Sequence, residues 1–317
     1  MRSFDPMNTE QRDEMLKDHP LRKKTFTTVT KTIEQAYASI REQIWLGRPS
    51  LYFYSTPRMG KSECAKAIKH FILSESPDKY VVLVSCDVTE EETIVETLCK
   101  GIGLLPKSRE KGSRLRARLI NHISCELSSL SGNHFVLILD EMQALQISDY
   151  KHLQVIQNDL KIKGISTTTI GFAQSEINDL HAVLRQAKED AIIARFLSQR
   201  ILFEGCSDIL WLEALLSRFD ESLFFPSGSD CSYTRFFLPQ SFANGFRLKD
   251  HAEVIYKTIR QALGANKIPI EHLFIMIEYI LISSRPDDRD SFVLSEEKIK
   301  SALLESKDSP IKSAQAI

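Results

Sequence analysis

The stretch from Leu51 to Ser62, LYFYSTPRMGKS, limits what this chain can fold into more than any other. Its apolar start predicts a buried strand. A tight loop follows, and a helix opens at Lys61. A strand, a loop and a helix with Gly-Lys-Ser at the junction make a phosphate-binding loop, the mark of a nucleotide-hydrolysing domain. The N–H groups of such a loop and of the helix N-terminus point at phosphate oxygens, and the helix dipole favours their negative charge. Ser55, Thr56, Pro57, Arg58, Met59, Gly60, Lys61, Ser62 and Glu63 are therefore the candidate nucleotide-binding segment. Lys61 can reach the β and γ phosphates as a point charge, and the Ser62 hydroxyl can ligate Mg2+. The pattern begins on Gly, whereas this chain has Ser55. Serine is small enough for close approach to phosphate, but a positive φ there costs more than it does with glycine.

A second motif lies downstream, from His134 to Glu141, HFVLILDE. An apolar run ending in two acids reads as a buried parallel strand. It delivers Asp140 at its C-terminal end, the edge where open α/β sheets bind ligands. There Asp140 can hold Mg2+, directly or through water, and Glu141 can polarise the water that attacks a γ-phosphate. The run from Ile165 to Ala173 predicts a further strand ending at Gln174 and Ser175. Gln174 is expected between the phosphate loop and the Asp140 strand, placed to orient the attacking water or sense the γ-phosphate. Ser175 is expected as a helix cap, because Ile177, Leu180, Val183 and Leu184 continue at helical spacing.

With 317 residues, 43% of them hydrophobic and 26% charged, the chain has room for one large domain or two smaller ones around a sizeable core. A net charge of −1 gives no global polyelectrolyte signal, so any contact with nucleic acid must come from a local patch. The densest patch is Lys107, Arg109, Lys111, Arg114, Arg116 and Arg118, opposed only by Glu110 and running into a helix that ends near Leu130. It suits contacts to the phosphate backbone of DNA; a solvated helix face is the plain alternative. The six cysteines form no Cys-x-x-Cys pair and read as reduced thiols of a cytosolic protein, without ligands clustered for zinc. The N-terminus has no apolar signal region, and the run Leu273 to Ile282 is too short for a membrane span and contains Glu278. A cytoplasmic location without a membrane partner is expected.

The chain divides by character. Residues 1–25 are polar, broken by Pro6 and Pro20, and carry Lys17, Arg22, Lys23 and Lys24. They read as a basic arm, either solvated or touching DNA or a neighbouring subunit. Residues 26–206 alternate strands and helices, with Thr89 and Glu92 capping one helix. Residues 207–306 read as helices, with 220–240 a loop rich in Ser, Pro and Phe and a later helix starting at Asn244 to Arg247. Residues 307–317 read as a disordered tail.

This order of elements resembles an AAA+ ATPase, and within that class the transposition regulators of the TnsC/TniB type. The resemblance covers about residues 25 to 265. It rests on Ser55 to Ser62, on Leu137 to Glu141, on Ile170, Gly171 and Gln174, on Arg195 and Arg200, and on Gly245, Phe246 and Arg247. It implies an α/β P-loop NTPase fold, a parallel five-stranded sheet sandwiched by helices, with a C-terminal helical lid. It implies ATP hydrolysis with ATP and Mg2+ as cofactors. Lys61 and Ser62 would hold the phosphates and Mg2+, with Asp140 and Glu141 as the metal-holding and catalytic acids. Gln174 matches the first sensor position, and Arg247 the lid arginine that contacts the γ-phosphate in cis. Either Arg195 or Arg200 is the finger that enters a neighbouring subunit's site; Arg195 is favoured because Arg200 is closer to the strand. The resemblance also implies a homo-oligomeric ring or helical filament on duplex DNA, a target-selector protein and a transposase as partners, and hydrolysis as a disassembly step. Replication initiators and helicase loaders share most of these features. A non-hydrolysing ATP-binding switch or scaffold is the third reading, and Glu141 argues against it.

Overall fold

Four runs rich in β-branched and aromatic residues and one short fifth run become strands: β1 Ser50–Ser55, β2 Tyr80–Ser85, β3 His134–Asp140, β4 Ser166–Gln174 and β5 Arg200–Leu202. In the computed structural model, which describes residues 4–86, 92–107, 110–263 and 268–308, they pair in the order β2-β3-β4-β1-β5. Every pairing is parallel. Strands covered on both faces need apolar side chains in near-continuous runs, and Leu51, Tyr52, Phe53, Val136 and Ile138 are all at or below 2% exposure. The expected position of β4 is found. It lies between β1 and β3, with Gln174 opposite Ser55 and Gly171 opposite both Tyr52 and Leu139. The C-terminal ends of β1, β4 and β3 therefore stand side by side.

The sheet belongs to one of two compact units, Thr32–Phe203. Its helices are Lys31–Trp45, Lys61–Glu75, Ile94–Gly101, Gly112–Ser129, Ile147–Ile162, Ile177–Gln186 and Asp190–Phe196. Leu98, Leu119, Ile123, Leu153 and Ile156 pack with Tyr52, Val82, Phe135 and Leu137 in one core. One cap is corrected. The helix after β2 is closed by a reciprocal Thr93–Glu96 pair, with Glu92 ion-paired to Lys100 instead. Thr89 lies outside the described residues.

The second unit joins the residues before Thr32 to those after Phe203. Its helices are Thr9–Leu16, Pro20–Lys23, Ile209–Glu221, Tyr233–Phe237, Pro239–Ala243, Ala252–Leu263, Ile270–Ser284 and Glu296–Asp308. Three expectations change here. The segment 220–240 holds the helix Tyr233–Phe237 and the start of Pro239–Ala243, and Phe236, Phe237 and the joining Leu238 are fully buried. Residues 4–25 pack into this unit instead of forming a free arm: His19 is buried among the rings of Phe225, Tyr233, Phe236 and Phe237, with centroids 4.5–4.8 Å away. Leu21 is buried beside it, and Arg12 donates to the Phe236 carbonyl. Burial holds the His19 imidazole down at about 3, so it packs as a neutral ring. Of the last stretch, the final helix runs to Asp308, and residues 309–317 lie outside the description.

Candidate functional site

β1 ends at Ser55 in extended backbone, so the feared strain at this serine is absent; the turn is made instead by Arg58 (φ 66°) and Gly60 (φ 84°). Gly60 is also the N-cap of the helix Lys61–Glu75 and supplies no side-chain cap, which leaves the first N–H groups of that helix for a ligand. Met59 is buried and pins the loop, while Thr56, Pro57 and Arg58 are exposed. Glu63 sits in the first helical turn, ion-paired to Lys66 at the surface.

Lys61 is 6% exposed, and its Nζ donates to the Ser55 carbonyl (3.3 Å), the Ser55 hydroxyl (3.1 Å) and the Thr56 carbonyl (3.0 Å). Burial lowers the pKa of this ammonium, and the negative charges of Glu141, Asp140 and Glu176 pull it back up. Burial raises the Asp140 carboxyl above the ordinary aspartate range, while a hydrogen bond from the Ser62 side chain opposes the shift. The two residues expected to hold Mg2+ are thus in contact. Asp140 Oδ1 also accepts from the Glu141 N–H (3.1 Å).

Glu141 adopts a left-handed backbone (φ 55°, ψ 39°), a strained setting for a residue with a Cβ and one that clusters at functional sites. Its Oε2 accepts from the Gln174 side chain (2.9 Å) and from the Gln143 side chain (2.5 Å). Gln143 Oε1 in turn accepts from the Gln174 N–H (2.8 Å). Two amides therefore aim one carboxylate. The turn carrying Gln143 is held down by Met142, which is fully buried over β4. Only glycine fits beneath it: a Cβ on Gly171 would lie 2.2 Å from the Met142 sulfur. Gln143 and Glu176 escaped the reading of the sequence. A polar amide two residues past a pair of acids is the signal for the first; Glu176 carries none, because only the fold brings it near Lys61.

The arginines divide. Arg195, in the last turn of its helix, donates to Asn158 Oδ1 (2.7 Å) and has no carboxylate partner among the described residues. Arg200 does not precede the fifth strand but begins it, with its guanidinium 4.1 Å from the centre of the Tyr54 ring. Arg247 lies in the other unit. It donates to the Phe242 and Phe246 carbonyls (2.8 and 2.7 Å) and stacks on the Phe242 ring (3.6 Å). The 3-10 turn that follows Arg247 is fixed by Asp220, which accepts from the N–H groups of Leu248 and Lys249 (3.1 and 3.0 Å).

The basic patch is smaller than the sequence suggests. Arg118, itself part-exposed, donates to Glu110 (2.6 Å), so its charge is already paired within the chain. Lys107, Lys111 and Arg114 are exposed, and Arg116 is half-buried. Arg109 lies outside the described residues. Among the described residues no group of His, Cys, Asp and Glu is arranged for a metal of its own, and no helix is long and apolar enough to cross a membrane.

The AAA domain family model matches residues 46–180, which takes in the phosphate loop, Asp140, Glu141 and Gln174 but none of the three arginines. No curated protein matches the sequence. Among solved structures, the Drosophila ORC bound to DNA is similar with a TM-score of 0.57 at 11% identity, over 93% of this chain and 70% of that one. The Aeropyrum pernix ORC1 protein in complex with DNA gives 0.53 at 13% identity, over 88% of this chain and 66% of that one. Cdc6p from Pyrobaculum aerophilum gives 0.52 at 15% identity, over 83% and 65%. The chain thus spans about two thirds of the length of the last two. The fold is that of the AAA+ P-loop NTPases, with a helical C-terminal region.

Proposed function

We propose that this chain, an AAA+ fold built around one phosphate loop, is an ATP-hydrolysing regulator that assembles as a homo-oligomer on duplex DNA in the cytoplasm. In the finer reading it is a transposition regulator of the TnsC/TniB type, linking a target-selector protein to a transposase. The observation that carries the ATPase reading is the convergence of Ser62, Asp140, Glu141 and Gln174 at neighbouring strand ends. A non-hydrolysing switch needs no carboxylate aimed by two amides.

The residues fit Mg2+ and ATP. The uncapped first turn of the helix Lys61–Glu75 offers N–H donors to phosphate, and the Ser62 hydroxyl and the Asp140 carboxylate already meet as a hard oxygen pair. When bound there, Mg2+ would neutralise charge on the phosphates. Lys61 supplies a fixed cation, Glu141 accepts the proton of the attacking water, and Gln174 and Gln143 hold Glu141 in line. Arg195, with no carboxylate partner among the described residues, suits the part of a finger reaching into a neighbouring subunit, because it is held there by the neutral amide of Asn158. Arg200, stacked on its own Tyr54, is the weaker candidate. Arg247 would have to leave two carbonyls of its own loop to meet a γ-phosphate.

Lys107, Arg109, Lys111, Arg114 and Arg116 are the proposed DNA-facing set, contacting phosphates without reading bases. The ORC relatives are bound to DNA in their structures, which supports a duplex partner and favours a second reading, a replication initiator or helicase loader. Steady-state ATPase measured with and without duplex DNA tests the proposal. Turnover raised by duplex of any sequence supports a regulator that tracks the backbone. Stimulation confined to one sequence favours the initiator reading. No turnover in either condition removes both.

A further inference from the structure

The pattern for a phosphate loop opens on glycine, and this chain departs from it at Ser55. The departure is built into the site. Ser55 is 4% exposed, and its hydroxyl lies 3.1 Å from Lys61 Nζ and donates to the Thr56 carbonyl at 3.1 Å. A lysine ammonium has three N–H donors. Here three oxygens take them: the Ser55 hydroxyl, the Ser55 carbonyl and the Thr56 carbonyl. All three come from the end of β1 and the residue after it. The ammonium that has to engage phosphate is already fully bonded within its own loop.

We infer that Ser55 is a latch on Lys61, a positioning residue whose hydroxyl competes with phosphate for one ammonium donor and so weakens nucleotide binding. This rests on the reading of the loop as an ATP site. For a phosphate oxygen to reach Nζ, one of the three bonds must be given up. The two carbonyls are fixed by the backbone of β1 and the loop. The hydroxyl is neutral and free to rotate, and its own proton is already committed to Thr56. It is the bond that yields. With glycine at this position Lys61 would keep two acceptors and hold one donor open. The serine therefore tunes affinity and leaves the backbone of the loop unstrained, since Ser55 stays extended.

The test is the affinity of the full chain for ATP in the presence of Mg2+, for wild type, Ser55→Ala, Ser55→Gly and Ser55→Thr. A hydrogen bond to a charged group that no longer has to be broken is worth about tenfold in the dissociation constant. Ser55→Ala and Ser55→Gly are expected to bind ATP about tenfold more tightly. Ser55→Thr restores the hydroxyl and is expected to return to the wild-type range. In turnover the gain appears in KM far more than in kcat, which a general loosening of the loop would not produce. Unchanged or weaker ATP binding by Ser55→Ala overturns the inference, as does a threonine variant that tightens as much as the alanine one. A wild-type chain that binds no ATP removes the reading beneath it, and both fall together; binding by wild type with no response to Ser55→Ala overturns the latch alone.

Discussion

Asp140 in the sheet unit and Asp220 in the helical unit are both pushed above the ordinary aspartate range by burial. Each accepts a backbone N–H from the residues that shape a turn. They differ in what is left over. Both Asp220 oxygens are occupied, one by the Leu248 N–H and one by the Lys249 N–H, and the residue is 3% exposed. Asp140 is half-buried, gives one oxygen to the Glu141 N–H, and faces a hydroxyl that can itself turn to a cation. A buried carboxylate whose acceptors are filled holds a fold together. One with acceptors to spare keeps a charge poised for a ligand, at a cost in stability.

Four experiments test this difference between the two aspartates and the sites around them. The largest effect belongs to the acid beside Asp140. Glu141→Gln keeps the shape and the contacts to the amides but removes the proton acceptor, and kcat in single turnover should fall by about 10²-fold or more. A fall of less than threefold would place the base elsewhere. Asp220→Ala strands the buried Leu248 N–H and the part-buried Lys249 N–H and should destabilise the helical unit by about 3 kcal/mol in chemical denaturation, while ATP binding to the sheet unit persists. Equal loss of ATP binding would show that Asp220 serves the site.

Asp140→Asn should do the opposite of Asp220→Ala: hydrolysis stops, yet the melting temperature rises. The sign follows from linkage. The folded pKa of Asp140 is raised, so its ionised form opposes folding above that pKa, and the penalty disappears as pH falls through it to the unfolded value of about 4. The stabilisation by Asn is therefore full at neutral pH and fades on acidification. A variant that melts lower than wild type at neutral pH contradicts the contrast. The smallest effects separate Arg114 from Arg118. Arg114→Ala should weaken binding to duplex DNA a few-fold and reduce its salt dependence by about one ion. Arg118→Ala, whose guanidinium already belongs to Glu110, should leave the salt dependence alone.

The same rule of occupancy explains what the sequence made legible. The strands β1, β3 and β4, the phosphate loop and the acids after β3 follow from apolar runs and fixed spacing, and each lies where expected. The helical unit hid more. Tyr233–Phe237 and Pro239–Ala243 are five residues each, too short to show a helical period, and their Pro and Ser neighbours read as loop. The helix Thr9–Leu16 has little apolar face of its own; it is anchored by the stem of Arg12 and by neighbours such as Phe4, which stacks on Phe236. Nothing in residues 1–25 alone announces the aromatic box that receives His19, because its rings come from residues more than two hundred positions away. Charge was misleading for a related reason. Arg118 counts as basic in any tally, but Glu110, only eight positions away, pairs with it.

Control of assembly on DNA by ATP is the centre of the proposed function. Light scattering or electron microscopy of the full chain on duplex DNA, with ATP, with ADP, and with Glu141→Gln plus ATP, tests this most directly. Large DNA-bound assemblies with ATP, none with ADP, and persistence in Glu141→Gln are the predicted result, with hydrolysis as the release step. A chain that stays monomeric on DNA in all three conditions contradicts the account, and the trans role of Arg195 falls with it.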